Sequence, residues 1–302
     1  MKQTRPLLAR FVVLWGVMTA VAVTPACSGQ GEGPVSTEAT EGEPAEPSAG
    51  AQALTEAEEA GEPGGKLLQK MLRESFRQAN LRPEQQVVVR EIQQDVRTKT
   101  GTAREARRAL VLTVADGVAA GAIDDAKVGA GLDVLVREVE LAKPVVQEGL
   151  NRLHQTLDPA QREAVVRALG SELRSRRDRM EGRGGLRAVV AMRLGRLATA
   201  LELTPEQKSV LRERLRTEFQ QGGGLQDKRG EHVARLREVG AAFASPGFDA
   251  RQMDLGKDAP ELTRKVTTRL VGLTKVVAAE LTPAQREKLA RMIRERAAAG
   301  DE

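Results

Sequence analysis

The chain has 302 residues, 40% apolar and 29% charged with a formal net charge of +5, yet only five Phe, one Trp and no Tyr, so any core it builds is almost wholly aliphatic. Strand-rich folds lean on aromatic and β-branched residues, and a chain rich in Leu, Ala, Arg, Glu and Gln points instead to an all-α protein. Two His and one Cys are too few for a disulfide framework, a Cys/His zinc site or a haem pocket.

The first segment reads as a targeting signal. Met1 to Arg10 carries Lys2, Arg5 and Arg10 without an acid, and Phe11 to Val23 is a mostly apolar run too short for an ordinary membrane-spanning helix. Small residues and the lone cysteine follow, as Thr24-Pro25-Ala26-Cys27-Ser28. This arrangement resembles a bacterial lipoprotein signal, with Thr24 where a Leu is usual. The resemblance implies removal of residues 1–26, lipidation of Cys27 and an exported protein anchored to a membrane. Ser28 stands where an Asp is associated with inner-membrane retention, which implies an outer-membrane anchor facing the periplasm.

Residues 27–65 are expected to form an acidic, disordered linker. Ser28 to Gly65 holds nine Glu, no basic residue, and only Val35 and Leu54 as large apolar residues. Such a composition cannot offset the entropy of ordering. As a flexible coil it would span roughly 35 Å. Of 47 basic and 42 acidic residues, three basic ones fall in the leader and nine Glu in the linker, which leaves 44 and 33 from Lys66 onward. The part expected to fold is therefore far more basic than the whole chain.

From Lys66 the sequence reads as helices, and it reads twice. Leu81-Arg82-Pro83-Glu84-Gln85 recurs as Leu203-Thr204-Pro205-Glu206-Gln207, and Leu157-Asp158-Pro159-Ala160-Gln161 recurs as Leu281-Thr282-Pro283-Ala284-Gln285. Two motifs in one order at nearly one offset indicate an internal duplication, with modules at 66–181 and 182–302. In each motif Thr204, Thr282 or Asp158 serves as N-cap, the Pro takes the first helical position, and the Gln falls at the third, where it can reach back to the cap. Arg82 has no acceptor to offer, so the first copy should start its helix less firmly. Between paired motifs lies a long amphipathic helix. Its apolar stripe is Leu132, Leu135, Val139, Ala142, Val146, Leu150, Leu153 and Leu157 in the first module, with Pro144 off the stripe and predicting a kink. The second module has Leu262, Val266, Leu270, Leu273, Val277 and Leu281.

These four Leu-x-Pro-x-Gln motifs, at Leu81, Pro83 and Gln85; Leu157, Asp158 and Gln161; Leu203, Thr204 and Gln207; and Leu281, Thr282 and Gln285, resemble the Leu-Thr-x-x-Gln motifs of the Spy/CpxP family of periplasmic α-helical proteins. The likeness covers Lys66 to Glu302 as two tandem copies, where the family's usual length corresponds to one. It implies antiparallel amphipathic helices in a thin cradle, formed in this chain as a pseudo-dimer within one monomer. It also implies ATP-independent binding of unfolded or aggregation-prone envelope proteins, or a part in envelope-stress signalling. The family includes metal-sensing members of the ZraP and CnrX kind.

The densest basic cluster, Arg174, Arg176, Arg177, Arg179, Arg183 and Arg187, spans the join and is the candidate client-binding patch. Nucleic acid is not the expected partner, because export and sparse aromatics argue against it. No metal or other cofactor is expected. His154 sits beside the first apolar stripe and His232 on a charged helix, and their repeat counterparts are Ala278 and Leu110. No nucleophile elbow, zinc-protease helix motif or dinucleotide turn occurs, and Asp124 and Asp125 read as helix caps, so catalysis is not expected. Two other readings stay open: a structural or signalling lipoprotein with one specific envelope partner, and a metal-responsive sensor of the same family.

Overall fold

The computed structural model describes residues 64–182, 194–221 and 227–299; the expected leader, Cys27 and nearly all of the segment expected to be an acidic linker lie outside them. The protein is all-α, and the described residues contain no strand. They include α1 (Gly64–Gln78), α2 (Pro83–Lys99), α3 (Gly101–Ala120), α4 (Asp125–Thr156) and α5 (Pro159–Gly182). After a helical stretch at 194–200 come α6 (Pro205–Gln221), α7 (Asp227–Ala244), α8 (Ala259–Ala279) and α9 (Pro283–Ala299). Each of the four motif prolines opens a helix, where its missing N–H leaves no hydrogen bond unmade.

The turn that precedes the first motif of each pair has a left-handed residue at the same place in both copies. Asn80 and Glu202, 122 positions apart in sequence, both adopt left-handed conformations, with φ of 51° and 54°. In the second copy the Leu203 amide donates to the Ala198 carbonyl at 2.9 Å, which closes the helix in a Schellman arrangement. A third turn closes α3 at Gly121, with φ 80°, and the guanidinium of Arg286 fills the space beside it; a Cβ there would come within 3.1 Å of that group.

Asp124 caps α4, accepting from the amides of Ala126 and Lys127 at 2.9 and 3.1 Å. The expected stripe faces inward: Leu132, Leu135, Val139, Ala142, Leu150, Leu153 and Leu157 are buried and Val146 is half-buried. The helix runs unbroken through Pro144, which is exposed, so the carbonyl freed four residues earlier can turn to water. In α8 the stripe departs from expectation. Leu270 is 58% exposed, while Ala259, Thr263, Val271, Val277 and Ala278 are buried. The buried face is thus rotated from the Leu262–Leu270 row. The second long helix is also shorter, because its N-terminal part is replaced by the turns at 245–258.

Helices exchange partners across the join. α3 packs on α4 but also along α9, α7 packs on α5, and α4 and α8 pack on each other. One core gathers Leu110, Val114, Val118, Leu132 and Val139 from before the join with Leu203, Leu211, Val271, Leu281 and Leu289 from after it. A second gathers Leu72, Phe76, Val89, Ile92, Leu153, Leu157 and Val165 with Phe243 of α7. Full burial of each Leu or Val contributes roughly 1.5–3 kcal/mol, so removing either half would strip a core from the other. Arg264–Asp133 at 2.7 Å and Arg294–Asp116 at 2.9 Å add ion pairs across the same boundary, and Lys275 pairs there with Asp125.

Candidate functional site

The motif glutamines meet in pairs. Gln85 Nε2 donates to Gln161 Oε1 at 2.7 Å and Gln161 Nε2 returns a bond to Gln85 Oε1 at 2.9 Å. Each amide also donates to the last carbonyls of the helix before its partner's: Gln85 to Thr156 at 2.8 Å, Gln161 to Asn80 at 3.3 Å. Each oxygen accepts the backbone amide of its own cap residue, Arg82 at 2.9 Å and Asp158 at 3.1 Å. Both side chains therefore use both donors and accept twice, which is what allows them to be buried, at 4% and 7% exposure. The pair ties together the ends of α1 and α4 and the starts of α2 and α5.

The second pair repeats the geometry. Gln207 and Gln285 exchange bonds at 2.9 and 3.2 Å, Gln207 donates to the Glu280 carbonyl at 2.8 Å, and Gln285 to that of Leu201 at 3.2 Å. Thr204 and Thr282 complete reciprocal caps, accepting from the Gln207 and Gln285 amides at 3.2 and 3.3 Å while their own amides donate to the glutamine oxygens at 3.0 Å. Asp158 does the same for Gln161 at 3.0 Å. Arg82, a donor only, supplies no side-chain cap; it reaches Glu84 at 3.0 Å and Asp158 at 3.4 Å instead. The twelve motif residues thus sit at helix starts and build joints between helices; of them only Leu81 also lines a cleft.

A polar row on α4 binds the turns at 245–258. Gln147 donates to the Leu255 carbonyl at 2.8 Å, Asn151 bonds Asp249 at 2.9 Å and the Ala250 amide at 2.8 Å, and His154 Nε2 lies 2.8 Å from the Ser245 carbonyl. Glu148 pairs with Arg251 at 2.6 Å. His154 is buried, with its ring against Phe243 and Phe248 at centroid distances of 5.5 and 5.3 Å. It is a structural histidine in the first half's core, deeper than its place beside the stripe suggests. Among the described residues no group of three His, Cys, Asp or Glu is placed to hold a metal. The side chain of His232 lies outside the described residues.

Of the six arginines in the candidate client patch, Arg174 is exposed on α5. Arg176, Arg177 and Arg179 lie on the same helix with side chains outside the described residues, and Arg183 and Arg187 lie outside them altogether. The described surface also carries large aliphatic side chains that the stripe analysis assigned inward or passed over. Val134 and Leu141, one heptad apart on α4, are 45% and 61% exposed, and Leu270 on α8 joins them. A cleft of about 560 Å³ opens between α1, α2 and α5, with Met71, Phe76, Leu81 and Val89 among its apolar lining and Arg73, Arg77 and Arg90 among its charged residues.

Surface carboxylates are tuned by their donors. Hydrogen bonds from Arg77 hold Glu74 below its usual range, Lys288 does so for Glu202, and the Asn151 amide, with the Arg251 backbone amide, does so for Asp249. No helix among the described residues is long and apolar enough to cross a membrane.

Comparison with known protein families, with characterised proteins and with solved structures gives no match. The paired glutamine joints and the exposed aliphatics rest on this chain alone.

Proposed function

We propose that the chain is an ATP-independent chaperone or stress-modulating protein of the cell envelope, related to the Spy/CpxP proteins. In this reading it is tethered through a lipid on Cys27 and the acidic linker, most simply to the outer membrane, and works without a cofactor or a catalytic step. Its two repeats pair within one chain to make the cradle that the resemblance implies. The observation that carries the reading is the combination on the long helices: isolated, widely exposed Val134, Leu141 and Leu270 on a helical body that has 44 basic against 33 acidic residues from Lys66 onward. A protein that holds unfolded chains loosely needs weak, separated apolar contacts and long-range attraction, not one deep pocket.

Attraction of this kind is screened beyond about 8 Å at physiological salt. Suppression of aggregation should therefore weaken between roughly 0.05 and 0.5 M salt, with loss first in the association rate, and should favour acidic clients. Replacing Leu141 and Leu270 by Ser should reduce suppression at every salt concentration. The test is light scattering of several unrelated aggregating proteins with the full chain. Failure with all of them, alongside capture of one envelope protein, would replace this reading with that of a single-partner lipoprotein.

A further inference from the structure

The cleft between α1, α2 and α5 has a lining of two kinds. Buried Met71, Phe76, Val89 and Ala168 with half-buried Leu81 form its apolar part, and its charged residues are Arg73, Arg77 and Arg90 against Glu74 and Glu172, an excess of one positive charge. Arg77 is occupied with Glu74 at 2.6 Å, and Arg90 is exposed. The Nε of Arg73 is buried and has no hydrogen-bond partner among the described residues, which is costly for a charged group unless an acceptor arrives. The cleft thus suits a short segment that offers carboxylates around a single aliphatic side chain.

The chain itself carries such a segment just before α1 in sequence. Leu54-Thr55-Glu56-Ala57-Glu58-Glu59-Ala60-Gly61-Glu62, outside the described residues, holds one of the linker's two large apolar residues and four of its nine Glu, with no base. It leads directly into α1. Arg73 lies nine residues into that helix, roughly 14 Å along its axis, whereas the ten residues from Leu54 to Gly64 can extend roughly 33 Å. The segment has ample length to double back along the helix it precedes.

We propose that residues 54–62 dock in this cleft, with Leu54 against its apolar lining and Glu56, Glu58 and Glu59 on Arg73 and Arg90. The linker is then an internal ligand as well as a tether. Its docking does not depend on the chaperone reading; the consequence that it competes with acidic clients does.

The test uses the full chain with Cys27→Ser and Ala57→Cys, labelled with a photoactivated benzophenone and irradiated without any client. Cross-links should concentrate on residues 71–90 and 168–172 at low salt. They should fall about tenfold in Arg73→Glu/Arg90→Glu, as two attractions become repulsions, and fall likewise near 0.5 M salt. Arg90→Glu alone, at an exposed position that leaves the fold intact by circular dichroism, should give an intermediate loss. Cross-links spread evenly over the helices, or concentrated but indifferent to charge reversal and salt, would overturn the proposal whatever the outcome with clients. If both readings hold, Glu56, Glu58 and Glu59 replaced together by Gln should raise aggregation suppression at low salt.

Discussion

Replacing Gln161 by Leu removes one member of the buried amide pair without changing side-chain volume much. Four side-chain hydrogen bonds go: two with Gln85 at 2.7 and 2.9 Å, one from the Asp158 amide at 3.1 Å and one to the Asn80 carbonyl at 3.3 Å. Gln85, 4% exposed, is left with half its partners and little water to replace them. At a net 0.5–1.5 kcal/mol per bond, discounted for the long one and increased for the stranded amide, the cost is about 3 kcal/mol. Gln285→Leu removes a matching set, but its amide and that of Gln207 are only partly buried, so water can take over and the cost should be nearer 1 kcal/mol. The assay is urea unfolding of the full chain followed by circular dichroism at 222 nm, because Trp15 is the lone Trp and lies outside the described residues. Comparing the same substitution at two copies of one motif cancels its intrinsic helix preference. A loss below about 1 kcal/mol at Gln161, or an equal or larger loss at Gln285, would refute the argument that burial sets the worth of the joint.

Gln93 is 3% exposed with neither amide atom bonded among the described residues, and its counterpart 122 positions on is Leu215, buried in the other core. Gln93→Leu should raise stability by about 1–2 kcal/mol in the same urea assay, and a loss would mean that the amide has a partner after all. Asp249 and Glu202 have folded pKa values below their unfolded ones, so they add stability above the unfolded values that disappears as pH falls through the folded ones. Urea midpoints should accordingly drop on acidification below about pH 4.5, and Asp249→Asn should flatten that part of the profile. Because both cores draw on both halves, residues 66–181 expressed alone should fail to give a cooperative monomeric transition. A sharp two-state melt of that fragment as a monomer would show that the halves are separate beads.

Helix starts were legible because their signals are local: a Pro at the first position and a Gln at the third need only their own turn. The α4 stripe was legible for the same reason, since burial at three- and four-residue steps follows from helical geometry. What covers a stripe is a different question, and periodicity does not contain it. Leu270 belongs to the apolar row of α8 by spacing, yet the neighbours of α8 approach from the side of Thr263 and Val271. The reciprocal pairing of Gln85 with Gln161 and of Gln207 with Gln285 could have been suspected from four identical residues at four caps, but capping alone accounts for just one of the hydrogen bonds each side-chain amide makes. His154, Asn151 and Gln147 share one face of α4 at steps of three and four, and that polar row was a readable sign of a hydrogen-bonded partner. Its identity, the 245–258 turns nearly a hundred residues away, was not.

The packing of α3 against α9 also sets an order of events during synthesis. Asp116 and Arg294, which bridge these helices, are 178 residues apart. α4 follows at once and covers part of the inward face of α3, Leu110 lying against Gly131, but at about 5–20 residues per second the side packed on α9 waits on the order of ten to thirty-five seconds for its cover. Throughout that interval the nascent chain displays the part of the α3 face that α4 leaves uncovered, on a helix that also carries Arg104, Arg107 and Arg108. Ribosome-bound intermediates truncated before residue 283 should therefore be the aggregation-prone species, and the completed chain the first form able to hide what it was built with.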